Sequence, residues 1–412
     1  MSRMPWLLAV ATVLSCGSVA SPVNGEAPRL SRLARAEREF LEQHWRAPIP
    51  PQGQSPERFP AVERSLAPAD CATCHPTQFA DWKTSLHAKS MGPGIAGQLI
   101  EMSRSDPVSA RSCLKCHAPL AEQAVETRGP DGFVANPAFD LSLRQQGIVC
   151  AGCHVRRHQR FGPPRRDGTA PSAQQRKILP HNGFTASSAF LRSEFCAGCH
   201  QFGPDGFALN GKPLENTYEE WRVSPAARRG QQCQDCHMPG RRHLWRGIHD
   251  RAMVKSGIRI NVVTERVRYR PGQRLRATLT IANTGVGHYF PTYVTPRVVV
   301  RAELVDAAGR RVPQSVEERA IGREVLLDLS REIADTRIAP GGRFALKYER
   351  PLDGGGLSLR ATVTVLPDHF YTGFFEALLA SGAGEGAVQL QEALEASRRS
   401  SFVIFSRVIP LT

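Results

Sequence analysis

The sequence predicts an α+β protein: a mainly helical and loop segment over residues 67–256, then an immunoglobulin-like antiparallel β-sandwich over 257–412. Two observations predict this. As far as about residue 255 a short Cys/His motif returns every 37–46 residues, and from Gly257 it stops and alternating apolar residues begin. The chain has 412 residues, 41% hydrophobic and 22% charged, which suits two or three domains and argues against wholesale disorder. No apolar run approaches the ~20 residues that cross a bilayer. The formal charge is +15, carried almost entirely by arginine, since only 7 of the 53 basic residues are lysine. Charge alone does not choose among nucleic acid, anionic lipid and acidic proteins.

Residues 1–20 read as an export signal, with Arg3, an apolar run from Trp6 to Leu14, and Ser18-Val19-Ala20 as a small-residue cleavage site. Val13-Leu14-Ser15-Cys16 resembles a lipoprotein box, with bulky Leu14 where a small residue is usual. Cleavage near Ala20 is therefore favoured over a lipid on Cys16, which would be the one attachment to a membrane. Within the next zone, 21–66, residues 27–46 place Leu30, Leu33, Glu37, Phe40, Leu41 and His44 at helical spacing. Pro48, Pro50, Pro51, Pro56 and Pro60 then mark an extended strap.

Ten of the eleven cysteines fall in five copies of one pattern: Cys71/Cys74-His75, Cys113/Cys116-His117, Cys150/Cys153-His154, Cys196/Cys199-His200 and Cys233/Cys236-His237. Composition alone predicts about 0.01 copies. C-x-x-C-H is the attachment signature of c-type haem, two thioethers to the macrocycle and the histidine as proximal iron ligand. A zinc ribbon pairs two such half-sites, and five is odd. A disulfide framework would not place histidine after every second cysteine. The expected cofactors are thus five covalent c-type haems. From Cys71 to His237 there are 167 residues, about 33 per haem, so the haems must pack on one another among short helices and loops.

The second segment alternates at Arg259–Val263, Leu275–Ile281, Val298–Val305, Phe344–Tyr348, Leu357–Leu366 and Phe402–Val408. Turn signals such as Pro271-Gly272 and Pro340-Gly341-Gly342 separate them, as a sandwich requires. Ala377–Ala396 alone looks helical.

Eight further histidines could supply distal ligands: His44, His87, His158, His181, His243, His249, His288 and His369. Trp82-Lys-Thr-Ser85-Leu-His87 and the run Cys233–Pro239 with His243 and His249 resemble multihaem cytochromes of the cytochrome c-554 and hydroxylamine oxidoreductase group. The likeness covers roughly residues 67–255 and implies that His87, His181, His243 and His249 are distal ligands. His288, in Gly285-Val-Gly287-His288-Tyr-Phe-Pro291, resembles the G-H-x-F-P segments of such proteins and implies a ligand from the sandwich. His44 falls on the apolar face of its helix and reads as core. His158 follows His154 too closely to reach the far face of the same haem; it would ligate a neighbour or bond a propionate. Five motifs differ from the group's four-haem carrier and eight-haem enzyme, and no C-x-x-C-K is present.

Two imidazoles per iron favour electron transfer over substrate binding. The sequence therefore reads as an exported, periplasmic pentahaem cytochrome c relaying electrons between redox partner proteins, with no nucleic-acid role. The alternatives are a reductase or oxidase of a small nitrogen or sulfur species at one five-coordinate haem, or an electron-transfer subunit of a larger redox complex. Arg156-Arg157, Arg165-Arg166, Arg228-Arg229 and Arg241-Arg242 would pair haem propionates or form a solvated basic face.

Overall fold

In the predicted N-terminal helix the side chains that should turn inward do so: in α1 (Arg35–His44), Glu37, Phe40, Leu41 and His44 share the covered face. The structure is a computed structural model and describes residues 34–47 and 49–411. The export signal, Cys16 and the first part of the 27–46 helix lie outside the described residues. Residues 49–60 of the proline strap form neither helix nor strand, and Ile49 and Phe59 are buried. Its Gln52 is tied down on both sides, the backbone N–H donating to Glu122 at 2.6 Å and the side-chain oxygen accepting from the His158 N–H at 3.3 Å.

Residues 67–256 are short helices joined by loops. The longest are α2 (Pro93–Ser105) and α3 (Pro107–His117), each opened by proline in the first turn, where no N–H is needed. Asp106 caps α3 by accepting from the Ser109 N–H at 3.1 Å. Sheet is confined to small ribbons, such as Glu126–Gly129 with Gly132–Ala135 and Ala208–Leu209 with Lys212–Pro213.

The alternating segments form seven main strands: β1 (Ile258–Thr264), β2 (Arg274–Asn283), β3 (Arg297–Val305), β4 (Glu317–Ile321), β5 (Arg343–Pro351), β6 (Ser358–Leu366) and β7 (Phe402–Pro410). They make two antiparallel sheets, ordered β4-β3-β6-β7 and β5-β2-β1. Alternate residues of both enter one core, including Leu275, Leu279 and Ile281 of β2, Val298 and Val300 of β3, and Leu359, Ala361 and Val363 of β6. The sheets remain open at their edges.

The predicted 377–396 helix is two helices, α4 (His369–Ala380) and α5 (Ala387–Arg399). Gly382 (φ 89°) and Gly384 (φ 55°) carry the break between them in a backbone region that suits glycine. The hairpin lies on α2. Gly386 meets Gly97 so closely that a Cβ on Gly386 would stand 2.3 Å from the Gly97 carbonyl oxygen. The ribbon 208–213 is held by buried Arg323, which donates to the carbonyls of Leu209, Lys212 and Pro213 at 2.8–3.1 Å.

Candidate metal centre

Local helix geometry explains the motifs. Cysteines three apart share one helix face a turn apart, and the histidine, four residues after the first cysteine, stands on that same face. Motif 2 ends α3, and motifs 3, 4 and 5 occupy Cys150–His154, Glu194–His200 and Cys233–His237. Motif 1 begins in Pro68–Ala72, and its His75 is the N-cap of the next helix, Pro76–Thr84. None of the ten motif cysteines is paired in a disulfide among the described residues. Cysteines of separate motifs lie beside one another, Cys71 by Cys150, Cys116 by Cys199 and Cys196 by Cys233. Segments far apart in sequence are thus side by side. Among the described residues no three His, Cys, Asp or Glu side chains converge as a zinc ribbon would arrange them.

All thirteen histidines are among the described residues, and most sort by the ring nitrogen that is engaged. A carbonyl only accepts, so the nitrogen facing it carries the proton and the other keeps its lone pair. Nδ1 donates in His117 (to Ser90 O, 2.7 Å), His154 (Phe161 O, 2.8 Å) and His237 (Arg246 O, 2.7 Å). It also does so in His181 (Gly183 O, 2.7 Å), His243 (Arg241 O, 3.1 Å) and His288 (Tyr289 O, 2.8 Å). This is the pattern of metal-ligating histidine, orientation fixed at Nδ1 and Nε2 left basic. Three others spend Nε2 instead: His44 on Cys153 O (2.8 Å), His158 on Gly53 O (3.0 Å) and His249 on Asp368 (3.0 Å).

Three histidine pairs then face each other. Ring centroids are 6.3 Å apart for His87 and His200, 6.1 Å for His154 and His243, and 6.3 Å for His237 and His288. A metal–nitrogen bond of about 2.0 Å and about 1.1 Å from nitrogen to ring centre, taken twice, give ~6.2 Å for two imidazoles on one metal. The residues present fit axial ligation. Each pair joins a motif histidine to one of the expected distal histidines. His181 lies within electrostatic reach of His75. The fifth expected partner, His249, is not brought to a motif histidine, because Asp368 takes its Nε2. His44, buried among Phe40, Phe161, Phe190 and Phe195, is the packed core residue its helix face implied.

Neighbouring residues set these rings. Trp82 Nε1 donates to Ile148 O at 2.7 Å, and Ser85 Oγ donates to Trp82 O at 2.7 Å, closing the turn that presents His87. The Ile148 N–H returns a bond to His87 O at 3.0 Å. Gly147 (φ 67°) permits this approach, since a Cβ there would lie 2.3 Å from Ser90 Oγ. Asp81, buried, accepts from Arg242 (2.5 and 2.7 Å) and from the His243 N–H (2.9 Å). Arg242 thereby holds the Asp81 carboxyl below the usual range. On the other side, a Cβ on Gly287 would stand 3.1 Å from Ala226 and 3.3 Å from Trp221. Glu220 accepts from the Tyr289 N–H (3.1 Å) and Thr292 Oγ1 (2.9 Å) and pairs with Arg337 at 2.8 Å. His288 is therefore clamped against the helix Thr217–Arg222.

Burial keeps the rings neutral. It depresses His87 to about 3, aided by His200, and His154 and His288 to about 4. Several arginines of the predicted pairs hold backbone carbonyls: Arg156 those of Ala151, Gly152 and Val155, Arg166 that of Gly240, Arg228 that of Val223 and Arg241 that of Pro164. Asp81, Ser90 and Glu220 carry no recognisable motif. Their roles emerge only from contacts with distant segments.

Residues 70–155 match the family model described as cytochrome c554 and c-prime. A penta-heme cytochrome c552 from Thermochromatium tepidum is 20% identical over 85% of this chain and all of its own, with a TM-score of 0.61. Together these likenesses support a multihaem c-type cytochrome. The sporulation control protein Spo0M from Bacillus subtilis is 11% identical over 27% of this chain and 43% of its own, and its TM-score of 0.13 carries no argument. No curated protein matches the chain.

Proposed function

We propose that the chain is an exported, periplasmic electron-transfer cytochrome carrying five covalent haems and passing electrons between partner proteins. The thioether positions are Cys71, Cys74, Cys113, Cys116, Cys150, Cys153, Cys196, Cys199, Cys233 and Cys236. His75, His117, His154, His200 and His237 serve as proximal ligands. His181, His243, His87 and His288 are distal ligands for motifs 1, 3, 4 and 5. The observation that carries the reading is the 6.1–6.3 Å spacing of three histidine pairs.

Bound haem supplies reversible one-electron chemistry at iron. The chain's own residues supply the rest. Carbonyl-anchored Nδ1–H groups fix each ring and raise its basicity, and two imidazoles keep the coordination sphere unchanged between oxidation states. The short motif spacing brings the centres close. The two sheets, read as an immunoglobulin-like sandwich over 257–412, contribute His288 and so lock onto the haem domain of 67–256.

The test is a count on the full-length protein matured in a host that attaches haem. Its denatured mass should exceed the polypeptide by about 3 kDa, at ~0.6 kDa per haem, and survive acid–acetone extraction. Reductive titration should take up five electrons per chain. A protein that loses its colour on extraction would sink the proposal.

A further inference from the structure

A cavity of about 360 Å³ lies beside His181, walled by the proline strap, the turn Arg157-His158 and the segment 176–185. Five cations line it, Arg58, Arg157, Arg160, Arg176 and Lys177, and no aspartate or glutamate does. The partners these cations have are neutral oxygens. Arg160 donates to the carbonyls of His158 (2.8 Å) and Glu63 (2.7 Å), Arg176 to that of Pro171 (3.4 Å), and Arg58 to the Asn182 amide oxygen. A carbonyl orients a guanidinium but brings no charge to offset it. The Arg157 and Lys177 side chains have no hydrogen bond or ion pair among the described residues. Glu63, outside the lining, faces Arg160 and accepts from the His181 N–H at 2.6 Å; it sets one negative charge against five positive ones.

The wall is held in an unusual backbone. Arg157 (φ 50°) and His158 (φ 60°) are the two central residues of the hairpin that joins Val155–Arg156 to Gln159–Gly162, positions that ordinarily take asparagine and glycine. His181 (φ 42°) and Asn182 (φ 63°) repeat the left-handed pair on another segment. Such strain persists only where surroundings enforce it and concentrates at functional sites. All four residues line the cavity. His158 adds a polar atom without a partner. Its Nε2–H donates to Gly53 O at 3.0 Å, and its buried Nδ1, left as an acceptor, bonds nothing.

We infer that this cavity binds a small inorganic polyanion of the phosphate class, phosphate or diphosphate. Five cations call for more than one negative charge, and arginine forks match phosphate oxygens in pairs. Phosphate at neutral pH also keeps an O–H, which suits the His158 Nδ1 lone pair; sulfate has none. At about 360 Å³ the cavity is at the small end for ligand sites, roughly 300–1,000 Å³, which fits a small anion with bound water. His181 lines the cavity and lies within electrostatic reach of His75. The bound charge therefore favours the ferric state of the haem proposed at motif 1. That consequence rests on the haem reading, while the site itself does not.

The test is calorimetric titration of the full-length, haem-loaded protein with phosphate, diphosphate and sulfate at constant ionic strength. One phosphate or diphosphate per chain is expected, with sulfate weaker. Arg157→Gln and Lys177→Gln should each weaken binding about 5- to 10-fold. Arg343→Gln, on strand β5 and outside the lining, should leave it unchanged. Saturating phosphate should lower the midpoint potential of one haem, and the Arg157→Gln/Lys177→Gln double variant should lose that shift. Several weak sites, equally reduced in Arg343→Gln, would overturn the site as mere attraction to a chain of charge +15. So would absent heat in the wild type, the result if haem propionates already fill the cavity. Sulfate bound as tightly as phosphate would overturn the role of His158 Nδ1. Binding without a shift in potential would overturn only the link to the motif 1 haem. Fewer than five haems by mass would defeat the haem reading and leave the binding result intact.

Discussion

The rings of His237 and His288 lie 6.3 Å apart and within 12° of parallel, although one belongs to the last Cys/His motif and the other to a loop between strands β2 and β3. Each donates Nδ1–H to a backbone carbonyl, so both turn a basic Nε2 outward. This pair joins the helical segment to the sheets through chemistry as well as packing.

Replacing His288 with alanine should vacate one axial position at motif 5. A new high-spin fraction of about one-fifth of the iron should appear, measured by paramagnetic resonance. Covalent haem content should not change. An unaltered spectrum would make His288 a turn residue only.

Glu220→Ala should loosen the same junction by another route. It removes the acceptor for the Tyr289 N–H and Thr292 Oγ1 and strips a buried partner from Arg337. Arg337 keeps Asp335 at 2.9 Å, so the loss should fall at the low end for a broken buried pair, about 3 kcal/mol by denaturant unfolding. A change within about 0.5 kcal/mol would show that the clamp adds nothing.

Much of this arrangement is legible in the sequence because it is local. The C-x-x-C-H spacing is a helix turn, and the alternation at 275–281 and 298–305 is a strand face. Trp82, Ser85 and His87 stand close enough to be read as one unit. What was illegible depends on distant partners. Nothing near His249 announces that Asp368 will take its Nε2, and Arg156 looks like a surface cation until four carbonyls, those of His44, Ala151, Gly152 and Val155, are seen around it. The loop after His288 meets the start of α4 only in the fold, where the Phe370 N–H donates to Thr295 O at 3.0 Å. The helix break at Gly382 and Gly384 could have been read, since glycine so placed ends a helix.

Acid should weaken the Asp81 latch. The Arg242 hydrogen bond lowers the folded carboxyl's pKa, with the His243 N–H assisting, so the latch is fully present above the unfolded value of about 3.9. Its contribution disappears as pH falls through the lowered folded value. Asp81→Asn should flatten this acid limb of an unfolding-against-pH series and loosen His243. An unchanged acid limb in Asp81→Asn would show that the latch titrates elsewhere.

Gly147→Ala tests the local frame of His87. The added methyl would meet Ser90 Oγ at 2.3 Å and His87 O at 2.8 Å, at a φ of 67°. Both His87 and His117 are held through this point. The variant should lower thermal stability by several degrees and perturb the motif 2 and motif 4 signals together. Disturbance of one without the other would contradict the shared anchor.

The most direct test is iron-edge anomalous diffraction from crystals of the haem-loaded protein. The account predicts five iron positions. Three should lie between His87 and His200, between His154 and His243, and between His237 and His288, with a fourth beside His75 and His181. The fifth should lie beside His117, between Cys113 and Cys116. An iron missing from between any of the three facing pairs would contradict it.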